Sequence, residues 1–192
     1  MTIDAPVLLP RGLDFFHQAA AQVTAEDWAA PSPCEQWKAH DVVGHVLGVL
    51  GMALDVLANR PITGPIGVQS YAGDPLAAFD ARAEEVRAAL VDADVGATVD
   101  TSLGSRTTDF RLAFPAVDMF LHAWDVSAAT GRSIEIPDDV VDDVEAFLRT
   151  MPEDQMRSPA AFGPAVPAPD GADRTIRLMA WLGRDVRASQ PG

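Results

Sequence analysis

The stretch RLAFPAVDMFLHAWDVSAATG, Arg111 to Gly131, limits the fold more than any other, because as a helix it has almost no face to give to water. At about 100° per residue, Val117, Phe120, Leu121, Trp124 and Ala128 share one side, while Met119, Ala123 and Val126 occupy the opposite one. A helix that is apolar or small nearly all round is packed on several sides. Arg111, Asp118, His122 and Asp125 nevertheless fall in one strip roughly 60° wide. The strip therefore points inward, where a carboxylate and an imidazole must be neutralised, paired or bound to a metal.

Asp118 and His122 stand at i and i+4, one above the other, and can converge on a single ion as the paired groups of H-E-x-x-H helices do. Alone, D-x-x-x-H more often marks a solvated face or an Asp–His hydrogen bond. A metal that keeps an open position wants about three protein ligands, so a third has to come from another helix. That candidate is His45, at the edge of the apolar face of a helix predicted from about Ala39 to Asn59 on Val42, Val46, Val49, Ala53, Val56 and Leu57. Beside it Asp41, Gly44, Gly48, Gly51 and Asp55 form a stripe without bulk. Each glycine costs a helix about 1 kcal/mol relative to alanine, so the stripe predicts close approach of another helix or a ligand to the backbone. On this helix alone, a hydrogen-bonded core histidine is the simpler reading of His45.

The rest of the chain supplies partners for these two helices. Leu9, Leu13, Phe16, Ala20 and Val23 predict a first helix from about Leu8 to Val23, with His17 on its polar rim between Asp14 and Gln18. Trp28 and Pro31-Ser-Pro-Cys-Glu-Gln-Trp37 read as an ordered loop with two large surfaces to bury. Lys38 is a poor N-cap for the helix that follows, where Ser or Thr is usual. Turn residues fill Asn59 to Gly67, and Asp74-Pro75 opens a third helix carrying Leu76, Phe79, Ala83, Val86 and Leu90 to about Val91. Residues 98–110 alternate around Leu103-Gly104-Ser105 and predict a short hairpin. After Gly131, a C-cap, Pro137 opens a fifth helix to about Met151. Pro152, Pro159, Pro164, Pro167 and Pro169 are expected to interrupt regular structure until a last helix, Ala172 to Gly183, built on Ile176, Leu178, Met179 and Leu182.

A chain of 192 residues, 48% hydrophobic, is long enough for one full core, and a single domain over 1–192 is expected. Its net charge of −14 argues against nucleic acid and anionic membrane surfaces as partners. The nearest approach to a membrane span, Val42 to Leu57, is broken by glycines and Asp55. One cysteine, Cys34, excludes an intrachain disulfide, and MTIDAPVLLPRG has no signal-peptide pattern, so a reducing, cytoplasmic setting is expected. No phosphate loop, GxSxG elbow, CxxC pair or dinucleotide fingerprint is present. Cys34, beside Glu35 in an acidic chain, is expected to keep a high pKa and not to act as a nucleophile.

In this order the pieces resemble the DinB-like metalloprotein superfamily, and within it the actinobacterial branch related to mycothiol-dependent maleylpyruvate isomerase. The stretches that carry the resemblance are Asp27-Trp28 with Pro31 to Trp37, Asp41-Val-Val-Gly-His45, Asp118-Met-Phe-Leu-His122-Ala-Trp-Asp125 through Gly131, and the tail from Phe162 to Pro167 with Leu178 to Arg184. The resemblance implies an all-α fold, a four-helix bundle with extra short C-terminal helices and a small hairpin. It implies a divalent metal on His45, Asp118 and His122, zinc first, with nickel or iron as the alternatives, and a low-molecular-weight thiol such as mycothiol. Relatives often carry Glu where this chain has Asp118, which leaves the ion's identity open.

Three functions follow for test. The first is a metal-dependent thiol transferase or isomerase acting on a small electrophilic substrate. The second is a non-catalytic metal or small-ligand binding protein on the same bundle. Two histidines and a carboxylate also describe non-haem iron oxygenases, although those sites usually sit on β-barrels that this sequence does not suggest. A homodimer is left open.

Overall fold

The computed structural model describes residues 3–62, 66–101, 104–157 and 162–186. Four long helices come first: α1 (Ala5–Ala20), α2 (Ala39–Leu57), α3 (Pro75–Val91) and, after an antiparallel ribbon of β1 (Thr98–Thr101) and β2 (Gly104–Thr107), α4 (Thr108–Ala129). Then follow α5 (Asp138–Leu148), a single turn α6 (Glu153–Met156) and α7 (Arg174–Trp181). The fold is all-α, a four-helix bundle with short C-terminal helices and one small hairpin, as the sequence predicts.

Local chemistry sets where the helices begin. Asp74 accepts from the backbone N–H of Ala77 at 2.9 Å with Pro75 in the first turn, so α3 starts where its N-cap predicts. The poor cap at Lys38 is made good from inside the helix: Asp41, three residues on, accepts from the Lys38 N–H at 2.9 Å. The hairpin ends at Thr107, earlier than residue 110, because the Thr107 hydroxyl caps the Phe110 N–H at 3.2 Å and starts α4 three residues ahead of Arg111. The predicted turn at 102–103, Pro159 and part of the predicted turn from Asn59 to Gly67 (63–65) lie outside the described residues. Among the prolines expected to exclude regular structure, Pro152 instead precedes the turn of α6, a position that needs no N–H from it.

α4 is the centre. It packs on α1 and α2, with α3 closing the far side against both. Eighteen of its 22 residues are buried, which is what a helix apolar on opposite faces requires. Among the described residues the buried apolar side chains form one cluster from Ile3 to Val186. α2 does meet the length and apolarity of a membrane span, more closely than the sequence reading allowed, and its composition has a plain cause: Val42, Val43, Val46, Val49, Leu50 and Val56 are wholly enclosed by the bundle.

The glycine stripe of α2 meets an extended segment at Gly44 and Gly48, and the Arg82 side chain of α3 at Gly51. A Cβ on Gly44 would stand 2.6 Å from the Gln69 carbonyl oxygen, and one on Gly48 3.1 Å from that of Gly67. The Gln69 N–H donates to the Gly44 carbonyl at 3.0 Å, so residues 66–69 lie directly on the helix backbone. This strap borders the side of α2 next to His45.

Candidate metal centre

The loop before α2 folds back on itself, with Ser32 N–H donating to the Trp37 carbonyl at 2.9 Å and Trp37 N–H to the Cys34 carbonyl at 3.1 Å. Gln36 takes a positive φ of 67° to close this turn. The result turns Cys34 inward, buried, and lays half-buried Trp37 against two imidazoles, 5.0 Å from the ring of His45 and 6.2 Å from that of His122 between centroids. Those two rings meet edge to face at 4.8 Å.

His45 from α2 and His122 from α4 aim the same nitrogen at the same oxygen. Each Nε2 lies 3.5 Å from Asp118 Oδ2, and all three atoms are within 4.8 Å of one another. A distance of 3.5 Å is long for a hydrogen bond, whose N···O separation is about 2.7–3.2 Å. It suits a shared ion: two atoms each about 2.1 Å from a tetrahedral centre stand about 3.4 Å apart. Asp118 Oδ2 is buried and has no hydrogen-bond partner, and buried oxygens in that condition are rare. The donor set, two imidazole nitrogens and one carboxylate, fits a divalent cation.

Behind this trio Asp125 is saturated. Its Oδ2 accepts from His122 Nδ1 at 2.9 Å and from Cys34 Sγ at 3.1 Å. Arg184 grips both oxygens, Nε to Oδ1 at 2.9 Å and Nη2 to Oδ2 at 3.1 Å. An ionised carboxylate can only accept, so His122 donates from Nδ1, and Nε2 is the nitrogen turned toward Asp118.

The electrostatics follow from these contacts. Burial works to raise the Asp125 carboxyl, but Arg184 and His122 outweigh it and hold the group well below the usual carboxylate range. Burial opposes the Asp118 anion too, and His122 and His45 overcome it, so its pKa is also lowered. His122 is driven down by burial and more strongly up by Asp118 and Asp125, for a net rise. Burial, then the Asp125 charge, pushes the Cys34 thiol well above its ordinary value. The acid beside Cys34 is therefore Asp125, 91 residues away, and not exposed Glu35 as the sequence suggested.

The remaining polar residues lie elsewhere. Arg111, on the same strip two turns earlier, is buried and donates Nη2 to the Arg60 carbonyl at 3.0 Å. His17 is on the outside, 2.7 Å from Asp80, as its polar neighbours predict. His40 Nδ1 faces the Trp28 carbonyl at 3.1 Å. Sequence reasoning missed the roles of Trp37 and Arg184. For Arg184 the signal was an arginine set directly after the glycine that ends an apolar helix.

Residues 9–127 match the family described as mycothiol maleylpyruvate isomerase N-terminal domain. That span holds Cys34, Trp37, His45, Asp118, His122 and Asp125 and stops short of Arg184. The chain is 30% identical over 178 residues to an uncharacterized protein of Mycobacterium tuberculosis, matched in strains CDC 1551 / Oshkosh and ATCC 25618 / H37Rv. The alignment covers 92% of this chain and 96% of each relative. No solved structure matches it.

Proposed function

The chain belongs to the mycothiol maleylpyruvate isomerase N-terminal domain family, and on that premise we propose that it binds a divalent metal through His45, Asp118 and His122 and acts as a thiol transferase or isomerase on a small electrophile. The single observation behind this reading is the pair of Nε2 atoms, each 3.5 Å from one unpartnered buried carboxylate oxygen. Zinc is the ion we favour, and a low-molecular-weight thiol of the mycothiol type the co-reactant.

An ion held by His45, Asp118 and His122 would supply Lewis acidity and would lower the pKa of a small thiol bound to it toward neutral pH. The protein's own groups do the rest. Asp125 fixes which nitrogen His122 presents, and Trp37 packs against both imidazoles. Cys34, held protonated by burial and by Asp125, does not compete as nucleophile. In the transfer, the thiol proton passes to solvent, a sulfur–carbon bond forms, and the displaced electron pair leaves with the departing group or moves onto a conjugated carbonyl.

The test is elemental analysis of the purified chain with thiol turnover measured alongside. Wild type is expected to hold about one divalent ion per chain and His45→Ala or His122→Ala to lose most of it. Equal metal in wild type and His122→Ala overturns the site. Full metal without consumption of mycothiol by any of a panel of small electrophiles favours the non-catalytic binding protein instead.

A further inference from the structure

We propose that Arg184 is a positioning residue of the metal centre, delivered by the C-terminal segment to clamp Asp125 and through it the ring of His122. The proposal rests on the reading that His45, Asp118 and His122 hold a divalent cation.

The segment that carries Arg184 is shaped for delivery. α7 ends at Trp181, and the chain turns back at Gly183, whose φ is +82°. A Cβ there would stand 2.8 Å from the Gly163 carbonyl and the Pro164 oxygen, so the turn is closed against backbone and admits only glycine without displacement. The Arg184 N–H donates back to the Met179 carbonyl at 3.0 Å, and Val166 N–H to that of Ala180 at 2.9 Å, which fixes the turn from both sides. The guanidinium then passes inward, 5.9 Å from the centroid of the Phe162 ring, and ends on Asp125. It is only 8% exposed.

The geometry at Asp125 shows why this reaches the ligand. Without Arg184, the carboxylate can rotate between His122 and the Cys34 thiol and accept from either. With both oxygens held by a planar fork, the plane of the carboxylate is fixed, and Oδ2 stays 2.9 Å from His122 Nδ1. That bond sets the His122 tautomer, and ligand orientation by such an outer carboxylate is worth about 10–100-fold in metal affinity. Arg184 lies 57 residues beyond the end of the family match, so this chain completes its centre with a residue that the matched span does not hold.

Competition titration of the metal-free full chain with Zn²⁺, and its visible spectrum with Co²⁺, test the proposal. Arg184→Met is expected to keep the wild-type helical content by circular dichroism, to bind Zn²⁺ about 10–100-fold more weakly, and to show an altered Co²⁺ spectrum. Arg184→Lys, which keeps the charge but not the fork, should fall between the two, and it decides the matter if the Met variant does not fold. Wild-type affinity and spectrum in either folded variant, with metal lost in His122→Ala, overturns the role of Arg184 and leaves the metal reading intact. A wild type that binds neither ion overturns both. One measurement needs no variant: in metal-free wild type, long-range ¹H–¹⁵N correlations of neutral His122 should show the proton on Nδ1, and a proton on Nε2 overturns the proposal.

Discussion

Asp118 and Asp125 lie seven residues apart on one face of α4, both buried, and their surroundings differ in kind. Asp125 is fully enclosed and accepts from three side chains, with a guanidinium on both oxygens. Asp118 faces two imidazoles at 3.5 Å, has no arginine or lysine among its ion pairs in the described residues, and leaves Oδ2 without a hydrogen bond. One carboxylate is finished within the protein and the other is not. The finished one supports, and the unfinished one is available to a cation. The same comparison says which substitution should cost folding and which should cost only metal.

Asp125→Ala has the largest expected effect. Removing it leaves the Arg184 guanidinium buried and uncompensated, and breaking a buried pair from one side costs about 3–5 kcal/mol. At about 2–4 °C per kcal/mol for a chain of this size, Tm of the metal-free protein should fall by about 6–20 °C. Thermal unfolding in chelator measures this directly. A fall worth less than about 1 kcal/mol would mean that Asp125 is no better anchored than Asp118.

Asp118→Asn should do the reverse. In the metal-free protein it removes a charge that no arginine or lysine pairs with and that chiefly His122 and His45 stabilise, so stability should fall, but by no more than about 1 kcal/mol. Metal is where it should tell. Zn²⁺ at about a thousand times its Kd stabilises a protein that binds it only when folded by about 4 kcal/mol, and the Asn variant should gain almost none of this. If Asp118→Asn unfolds the metal-free chain as readily as Asp125→Ala, the two carboxylates have the same job and the contrast fails.

How much of this was legible in the chain depended on the range of the interaction. α4 and its inward strip were readable because periodicity is local, and the start of α3 was readable because Asp74 and Pro75 act within one turn. Asp118 and His122 form an i, i+4 pair, whereas His45 needed the family resemblance to join them, since nothing in its own helix requires it to face α4. Arg184 could not be placed: its partner is 59 residues away, and only the turn at Gly183 brings the two together. The strap on Gly44 and Gly48 could not be named for the same reason, as the stripe announces close approach without saying by what.

Cys34→Ser is the finest probe of the comparison, with the smallest expected effect. The thiol donates to the Asp125 oxygen that also holds His122, at 3.1 Å, so its hydrogen bond goes to the supporting carboxylate and to none of the three proposed ligands. A serine hydroxyl can donate to the same oxygen and is smaller, so the bond is kept at the cost of slightly looser packing. Stability should change by less than about 1 kcal/mol. Metal content and thiol turnover should stay near wild type, because burial and Asp125 hold the native thiol protonated and leave it no nucleophilic role to lose. The thiol of the folded protein should also react with an aromatic disulfide reagent far more slowly than that of the unfolded chain, since Cys34 is only 6% exposed. Cys34→Ala separates the two parts of this argument. It removes the donor as well as the sulfur, and should lower metal affinity modestly while Ser does not. A Ser variant that folds and holds metal but turns over no thiol would move the reacting sulfur from the soluble thiol to the protein, and Asp125 would then be a base for Cys34 as much as a support for His122.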